Sequence, residues 1–100
     1  MTVRDSFDLS GRVAIITGGA GLLGMKHAEA VAELGGIPVL VDISAERAAS
    51  GAGRLADAYG KALGIGIDIT EPEQVGEILA RTLDAFGRAD ILINNAANNP

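Results

Sequence analysis

The sequence predicts an α/β fold, a doubly wound parallel sheet built in the order β-α-β-α-β-α-β. Four short runs rich in β-branched residues lack polar alternation, as strands buried on both faces do. Segments with helical apolar spacing lie between them, and Gly, Asp or Asn stands at each strand end. Strands joined through crossover helices must run parallel, and right-handed crossovers place helices on both faces of the sheet.

The elements follow in order. Residues 1–10 form a polar lead-in whose Phe7 and Leu9 are expected to pack on the sheet edge. Arg12–Thr17 reads as the first strand, and a helix from about Leu22 to Leu34 is stopped by Gly35 and Gly36. Ile37–Asp42 is the second strand. The helix expected over about Ser44–Tyr59 contains Gly51 and Gly53, each costing roughly 1 kcal/mol relative to Ala, so fraying or a break is expected. Ala62–Ile67 is the third strand, weakened by its own glycines. The clearest helix is Glu71–Phe86, where Val75, Ile78, Leu79, Leu83 and Phe86 share one face. Thr70 and Glu73 form a capping box, Pro72 occupies the permissive first turn and Gly87 supplies the stop. Asp90–Asn94 is the fourth strand. The chain shows no internal repeat, low-complexity tract or linker.

Composition narrows the function classes. The 100 residues are 48% apolar and 21% charged, sufficient for one modest globular domain and against disorder. No cysteine is present, which excludes a disulfide scaffold and a zinc finger and fits a reducing, cytoplasmic setting. The apolar runs are far shorter than a membrane span, and Arg4, Asp5 and Asp8 make the N-terminus unlike a signal peptide. A net charge of -5 argues against nucleic acid and anionic membranes as partners. Glycine, at 14 residues, is about twice its usual share of roughly 7%.

The richest glycine segment is Thr17-Gly18-Gly19-Ala20-Gly21-Leu22-Leu23-Gly24, between a strand and a helix. Such a turn lets backbone approach a diphosphate, and the helix that follows offers free N–H groups and the positive end of its dipole. Gly18 is suited to the tight turn and Gly24 to packing of the helix against the strand. The plain alternative is a tight turn with no ligand. Asp42 ends the second strand 18 residues after Gly24, where dinucleotide folds hold the adenosine ribose. Its charge repels a 2′-phosphate, and the nearest cation in the chain, Arg47, lies within the next helix, so NAD is favoured over NADP. Asp42 is otherwise a helix N-cap for the segment beginning at Ser44. Asp68 with Ile69 is placed for adenine, or else is a cap or turn leading into the third helix. Asn94 and Asn95 end the fourth strand as ligand-rim or ordinary turn residues.

Taken together, these pieces resemble the short-chain dehydrogenase/reductase family across essentially the whole chain. The matching segments are Leu9 through Gly18, the glycine loop, Asp42, Asp68-Ile69-Thr70 and Asn94-Asn95-Ala96-Ala97. The family's standard branch has T-G-x-x-x-G-x-G, and this chain carries Leu22 where that pattern has Gly. Through Gly21 the loop has the spacing of the extended branch, whereas Asn-Asn-Ala-Ala is similar to the standard branch's N-N-A-G; the standard branch is favoured. The resemblance implies a Rossmann-type sheet with strand order 3-2-1-4, leaving Ile91–Ile93 as an open apolar edge that invites pairing. It also implies that Gly18, Ala20, Gly21, Leu23 and Gly24 line the diphosphate. Asp42 would hold the adenosine ribose, Asp68 and Ile69 the adenine, and Asn94 with the Ala96 backbone the neighbourhood of the second ribose.

The family's proton-transferring Tyr, with a Lys four residues later, has no match here. Tyr59 is followed at that offset by Leu63, with Lys61 out of place, and is expected to be a packing residue at a helix end. His27 is expected to be a surface or boundary residue. Residues 1–100 are therefore expected to be the N-terminal part of one cofactor-binding domain, inactive alone, with the catalytic Ser, Tyr and Lys beyond Pro100. The function the resemblance implies is NAD-dependent hydride transfer on a small alcohol, ketone or sugar-like substrate, without metal, in a homo-oligomer. A nucleotide-sugar epimerase or dehydratase, or a non-catalytic dinucleotide-binding module, remains the alternative.

Overall fold

The computed structural model describes residues 8–69 and 72–95. Seven elements alternate: β1 (Val13–Thr17), α1 (Leu22–Glu33), β2 (Ile37–Asp42), α2 (Ala45–Tyr59), β3 (Leu63–Gly66), α3 (Pro72–Phe86) and β4 (Ile91–Asn94). The strands form one parallel sheet in the order β3-β2-β1-β4, as the sequence predicts. Its register aligns Thr17 with Val41 and Asn94, and Asp42 with Gly66, so the carboxyl ends of all four strands share one rim.

Successive strand residues serve opposite faces. Val13, Ile15, Val39, Val41 and Ile65 pack with Ile78 of α3 on one side. Ala14, Ile16 and Leu40 pack with Ala28 and Val31 of α1 and Ala52 and Leu55 of α2 on the other. Leu9 joins that second cluster, its amide donating to the Leu34 carbonyl oxygen, rather than lying on the sheet edge. Phe7 and Thr70, and with Thr70 the capping box, lie outside the described residues.

α1 stops where Gly35 turns left-handed at φ 90. The Gly36 N–H reaches the Val31 carbonyl and the Gly35 N–H that of Ala32, a Schellman closure. α2 corrects the expectation of a broken helix: it is continuous through Gly51 and Gly53. Ser44 caps it by accepting from the Arg47 N–H at 3.2 Å, and Ala48, Gly51, Ala52 and Leu55 form its buried face. Burial of that face outweighs the two glycine penalties. Gly51 allows the helix to lie close, since a Cβ there would stand 2.9 Å from Leu40 Cδ1 and 3.0 Å from Met25 Sδ. β3 is shorter than Ala62–Ile67, and its glycines have a cause: Cβ atoms on Gly64 and Gly66 would collide with Ala48 and Ala45 of α2.

The apolar stripe expected on α3 divides. Ile78 and Thr82 are buried and Phe86 is partly buried against the sheet, whereas Val75, Leu79 and Leu83 are exposed. The latter three lie one turn apart along a neighbouring line of the helix surface. With Leu92 of β4, 69% exposed, Val75 and Leu79 border an open groove of about 440 Å³. The expected apolar edge at β4 is thus present, with Ile91 and Ile93 half-buried on its other face.

Asp90 ties the entry of β1 to the entry of β4. Its Oδ2 accepts from the Val13 N–H at 2.9 Å and from Arg88 Nε at 2.8 Å. The Arg88 hydrogen bond, then the Val13 N–H, hold the carboxyl below its usual pKa. A lowered carboxyl pKa means stabilisation that is full above the unfolded value of about 3.9 and lost as pH falls through the lower folded value. Asp90→Asn should therefore flatten the acid limb of a stability-versus-pH curve measured by urea unfolding; an unchanged limb would remove this role. In thermal unfolding, Gly53→Ala, whose Cβ meets nothing within 4 Å, should gain about 1 kcal/mol, whereas Gly51→Ala, whose Cβ would press on the buried Leu40, should give no gain.

Candidate dinucleotide site

The glycine loop leaves β1 through Gly18, whose φ of 66 suits glycine. The Gly21 N–H donates back to the Gly18 carbonyl at 3.2 Å, and the Gly19 N–H donates to the Val41 carbonyl at 3.1 Å, tying the loop to the end of β2. Gly19, absent from the predicted set, is sterically required: a Cβ there would stand 2.8 Å from the Ile16 carbonyl oxygen and 2.9 Å from Leu40 Cα. Gly24 is required too, but for packing against the loop rather than the strand, because a Cβ would strike the Gly18 carbonyl oxygen and Gly19 Cα.

Gly21 is the N-cap of α1, with no side-chain capping bond and no acidic residue in the first turn. The helix N-terminus is therefore open to an anion at the loop. Leu22 does not disturb this path, for its side chain points outward, 81% exposed, beside the exposed Leu23; Ala20 is half-buried.

Around the rim, Gly18, Asp42, Asp68 and Ile69 line one depression of about 480 Å³, together with Ile43, Ile67 and Arg47. Asp42 is buried at the end of β2, its Oδ1 accepting from the Ser44 N–H at 2.9 Å. Ser44, not Asp42, provides the N-cap of α2, which separates the two roles considered for Asp42. The Asp42 carbonyl also accepts from the Ile67 N–H at 2.9 Å, fixing β3's exit to the same rim. Ile69 packs against the core cluster beneath it.

At β4, the Thr17 hydroxyl donates to Asn94 Oδ1 at 2.8 Å, and the Asn95 N–H donates to the Thr17 carbonyl at 3.1 Å. Thr17 positions Asn94, a role readable in sequence only once the parallel register sets the two side by side. Asn95 Nδ2 is buried without a partner among the described residues. Ala96 lies outside the described residues.

Arg47 modifies the electrostatics inferred from sequence. It lies in the first turn of α2, yet its exposed side chain lines the depression beside Asp42. Its Nη2 is 4.0 Å from where a Cβ on Gly21 would sit.

The remaining polar candidates lie away from the rim. Tyr59 donates to Glu33 Oε2 at 3.4 Å, linking the ends of α2 and α1. Desolvation and the Glu33 charge raise its pKa, opposite to what a proton-transferring phenol needs. His27 is half-buried in α1 with Nδ1 unpartnered among the described residues, a boundary residue as expected.

The glycine geometry separates two substitutions. Gly21→Ala, with nearest contacts of 3.5 Å and 4.0 Å, should leave the melting temperature nearly unchanged. Gly24→Ala should destabilise by about 1–3 kcal/mol through overpacking against backbone. Equal melting temperatures for the two variants would refute the close packing at Gly24.

Comparison with known proteins agrees with this fold. The short chain dehydrogenase family profile matches residues 12–100. The peroxisomal 2,4-dienoyl-CoA reductase of Danio rerio is 39% identical over 92 residues, covering 91% of this chain and 31% of the relative. L-Sorbose reductase from Gluconobacter frateurii, solved with NADPH and L-sorbose, superposes with a TM-score of 0.87 at 35% identity, covering 94% of this chain and 36% of that one. A protein from Haemophilus influenza described as a D-mannonate oxidoreductase, solved with bound NAD, gives a TM-score of 0.87 at 29% identity, covering 99% and 35%. The chain thus spans about a third of the length of these relatives. By its matched profile over residues 12–100, with which its strand order agrees, the chain belongs to the short-chain dehydrogenase family.

Proposed function

We propose that these residues form the N-terminal part of the dinucleotide-binding domain of an NAD-dependent oxidoreductase acting on a hydroxyl/carbonyl pair of a small molecule. The observation that carries the reading is the convergence on one rim of an uncapped helix N-terminus, the closed glycine loop and the buried Asp42. In this reading Gly18, Ala20, Gly21, Leu23 and Gly24 hold the diphosphate. Asp42 accepts from the adenosine ribose hydroxyls, Asp68 and Ile69 meet the adenine, and Asn94 with Ala96 borders the second ribose. The nicotinamide, when bound, supplies or accepts the hydride.

The protein's own part is to bind and orient. Thr17 holds Asn94 at the rim, and the helix N-terminus counters the diphosphate charge. Proton transfer to the substrate oxygen is assigned to a Tyr and Lys outside these residues, since Tyr59 is tied to Glu33 with its proton held more tightly. A cytoplasmic homo-oligomer acting on an alcohol, ketone or sugar-like substrate completes the proposal. The L-sorbose reductase among the relatives supports that substrate range.

The relatives do not fix the cofactor: one was solved with NADPH and another with NAD. NAD preference therefore rests on the buried carboxylate of Asp42, which favours ribose hydroxyls and opposes a 2′-phosphate. Asp42→Asn keeps an oxygen for the Ser44 N–H and removes the charge. The NADPH-to-NADH affinity ratio, from fluorescence titration, should rise by about tenfold, a shift of about 1.4 kcal/mol. An unchanged ratio would show that Asp42 does not meet the ribose.

A further inference from the structure

We infer that the N-terminal lead-in docks on its own chain, seating Phe7 in a cleft at the end of the sheet opposite the glycine loop. This inference stands apart from the dinucleotide reading. The cleft, of about 360 Å³, lies where α1 and α2 end and β2 begins, and Gly11, Gly35, Ala32, Ile37, Tyr59 and Lys61 border it. Ala32, Ile37 and the Tyr59 ring supply apolar surface. The Tyr59 hydroxyl is already engaged, donating to Glu33 Oε2 at 3.4 Å, yet the residue stays 43% exposed.

The chain that leads into β1 runs along the edge of this cleft. The Leu9 N–H donates to the Leu34 carbonyl at 2.8 Å and the Gly11 N–H to the Gly35 carbonyl at 3.2 Å. A tight turn follows, its Arg12 N–H returning to the Leu9 carbonyl at 2.8 Å with Gly11 at φ 76. Asp8 Oδ1 accepts from the Ser10 N–H at 2.9 Å, which fixes the residue next to Phe7. Phe7 is one Cα–Cα step of about 3.8 Å before that anchor, within reach of the space beside Gly11 and Gly35. Leu9 packs into the cluster between the sheet, α1 and α2. In extended chain, side chains two residues apart share a side, so Phe7 is directed to the same α1 and α2 side as the cleft. Between Arg4 and Asp8 it is the single apolar residue, one anchor for one cleft. Its ring would gain an aromatic neighbour in Tyr59 as well as burial. Docked there, the lead-in straps the entry of β1 to the ends of α1 and α2.

The chain has one tyrosine and no tryptophan, so its intrinsic emission reports on Tyr59 alone. Phe7→Ala should raise the acrylamide quenching constant of that emission by about twofold, as the ring loses its cover, with the circular dichroism unchanged. The thermal midpoint should fall by about 4–8 °C or more, and Phe7→Leu should lie between. The chain also lacks cysteine, so Ser6→Cys paired with the exposed Lys61→Cys gives a clean cross-linking test that keeps Phe7 and does not depend on Phe7→Ala folding. A short bismaleimide should link the two positions within one chain, and adding Phe7→Ala should abolish the link. A quenching constant unchanged by Phe7→Ala would overturn the inference, as would the absence of any link or a link indifferent to Phe7. A link formed only between chains would also overturn it, by placing the lead-in on a second copy.

Discussion

The approach of backbone to backbone beneath the glycine loop governs the rest of the site. The first turn of α1 sits so close under Gly18 and Gly19 that a methyl group at Gly24 has no room, and Gly19 is pressed between Ile16 and Leu40. The Gly19 N–H then joins the loop to Val41, so the exits of β1 and β2 move as one. The parallel register carries that fixed point outward to Asn94 on one side and Gly66 on the other. A loop relaxed by even one methyl would lift the helix N-terminus from the rim while leaving most of the sheet intact. The cost of overpacking, about 1–3 kcal/mol, is comparable to the gain of about 2–4 kcal/mol from burying Ala28 and Val31, which anchor the helix.

Small residues recur wherever the second helix meets the sheet. Ala45 and Ala48 face Gly64 and Gly66, and Gly51 lies against Leu40 and Met25. This brings α2 low enough for its first turn to reach the rim, which is why Ser44 can hold Asp42's surroundings and Arg47 can extend toward α1. The opposite face is built differently. There α3 meets the sheet through Ile78 and Phe86, while Val75, Leu79 and Leu83 stand away from it beside the open groove. The sheet is closely covered on the side of the glycine loop and α2, and more openly covered at the β4 side.

Element sequence and the glycine turn were legible because each has a local physical signature: β-branched runs, helical spacing, glycine at a strand exit; the strand order came from the family resemblance that these pieces carry. Asp42 was legible from its distance to the loop. What escaped was decided by contacts between elements. Gly51 reads as a helix breaker in isolation, yet it is a packing residue once Leu40 lies beneath it. The α3 stripe gave the right apolar residues without saying that Ile78 and Phe86 face the sheet while Leu79 and Leu83 do not. Gly19 looked like one glycine among several, since nothing local marks which of them meets a neighbouring strand. Arg47 escaped because separation along the chain overstates distance in space when a capped helical turn folds the residue back.

That last point bears on how two opposite charges share a pocket. Asp42 is buried at 9% exposure and Arg47 lies at the surface. A buried charge is screened less by water and salt than an exposed one, so at equal distance the carboxylate acts more strongly on a bound ribose. Its position is also fixed by the Ser44 N–H, whereas a long exposed guanidinium gives up side-chain entropy in any contact it makes. On the proposed reading, Asp42 sets the direction of cofactor preference.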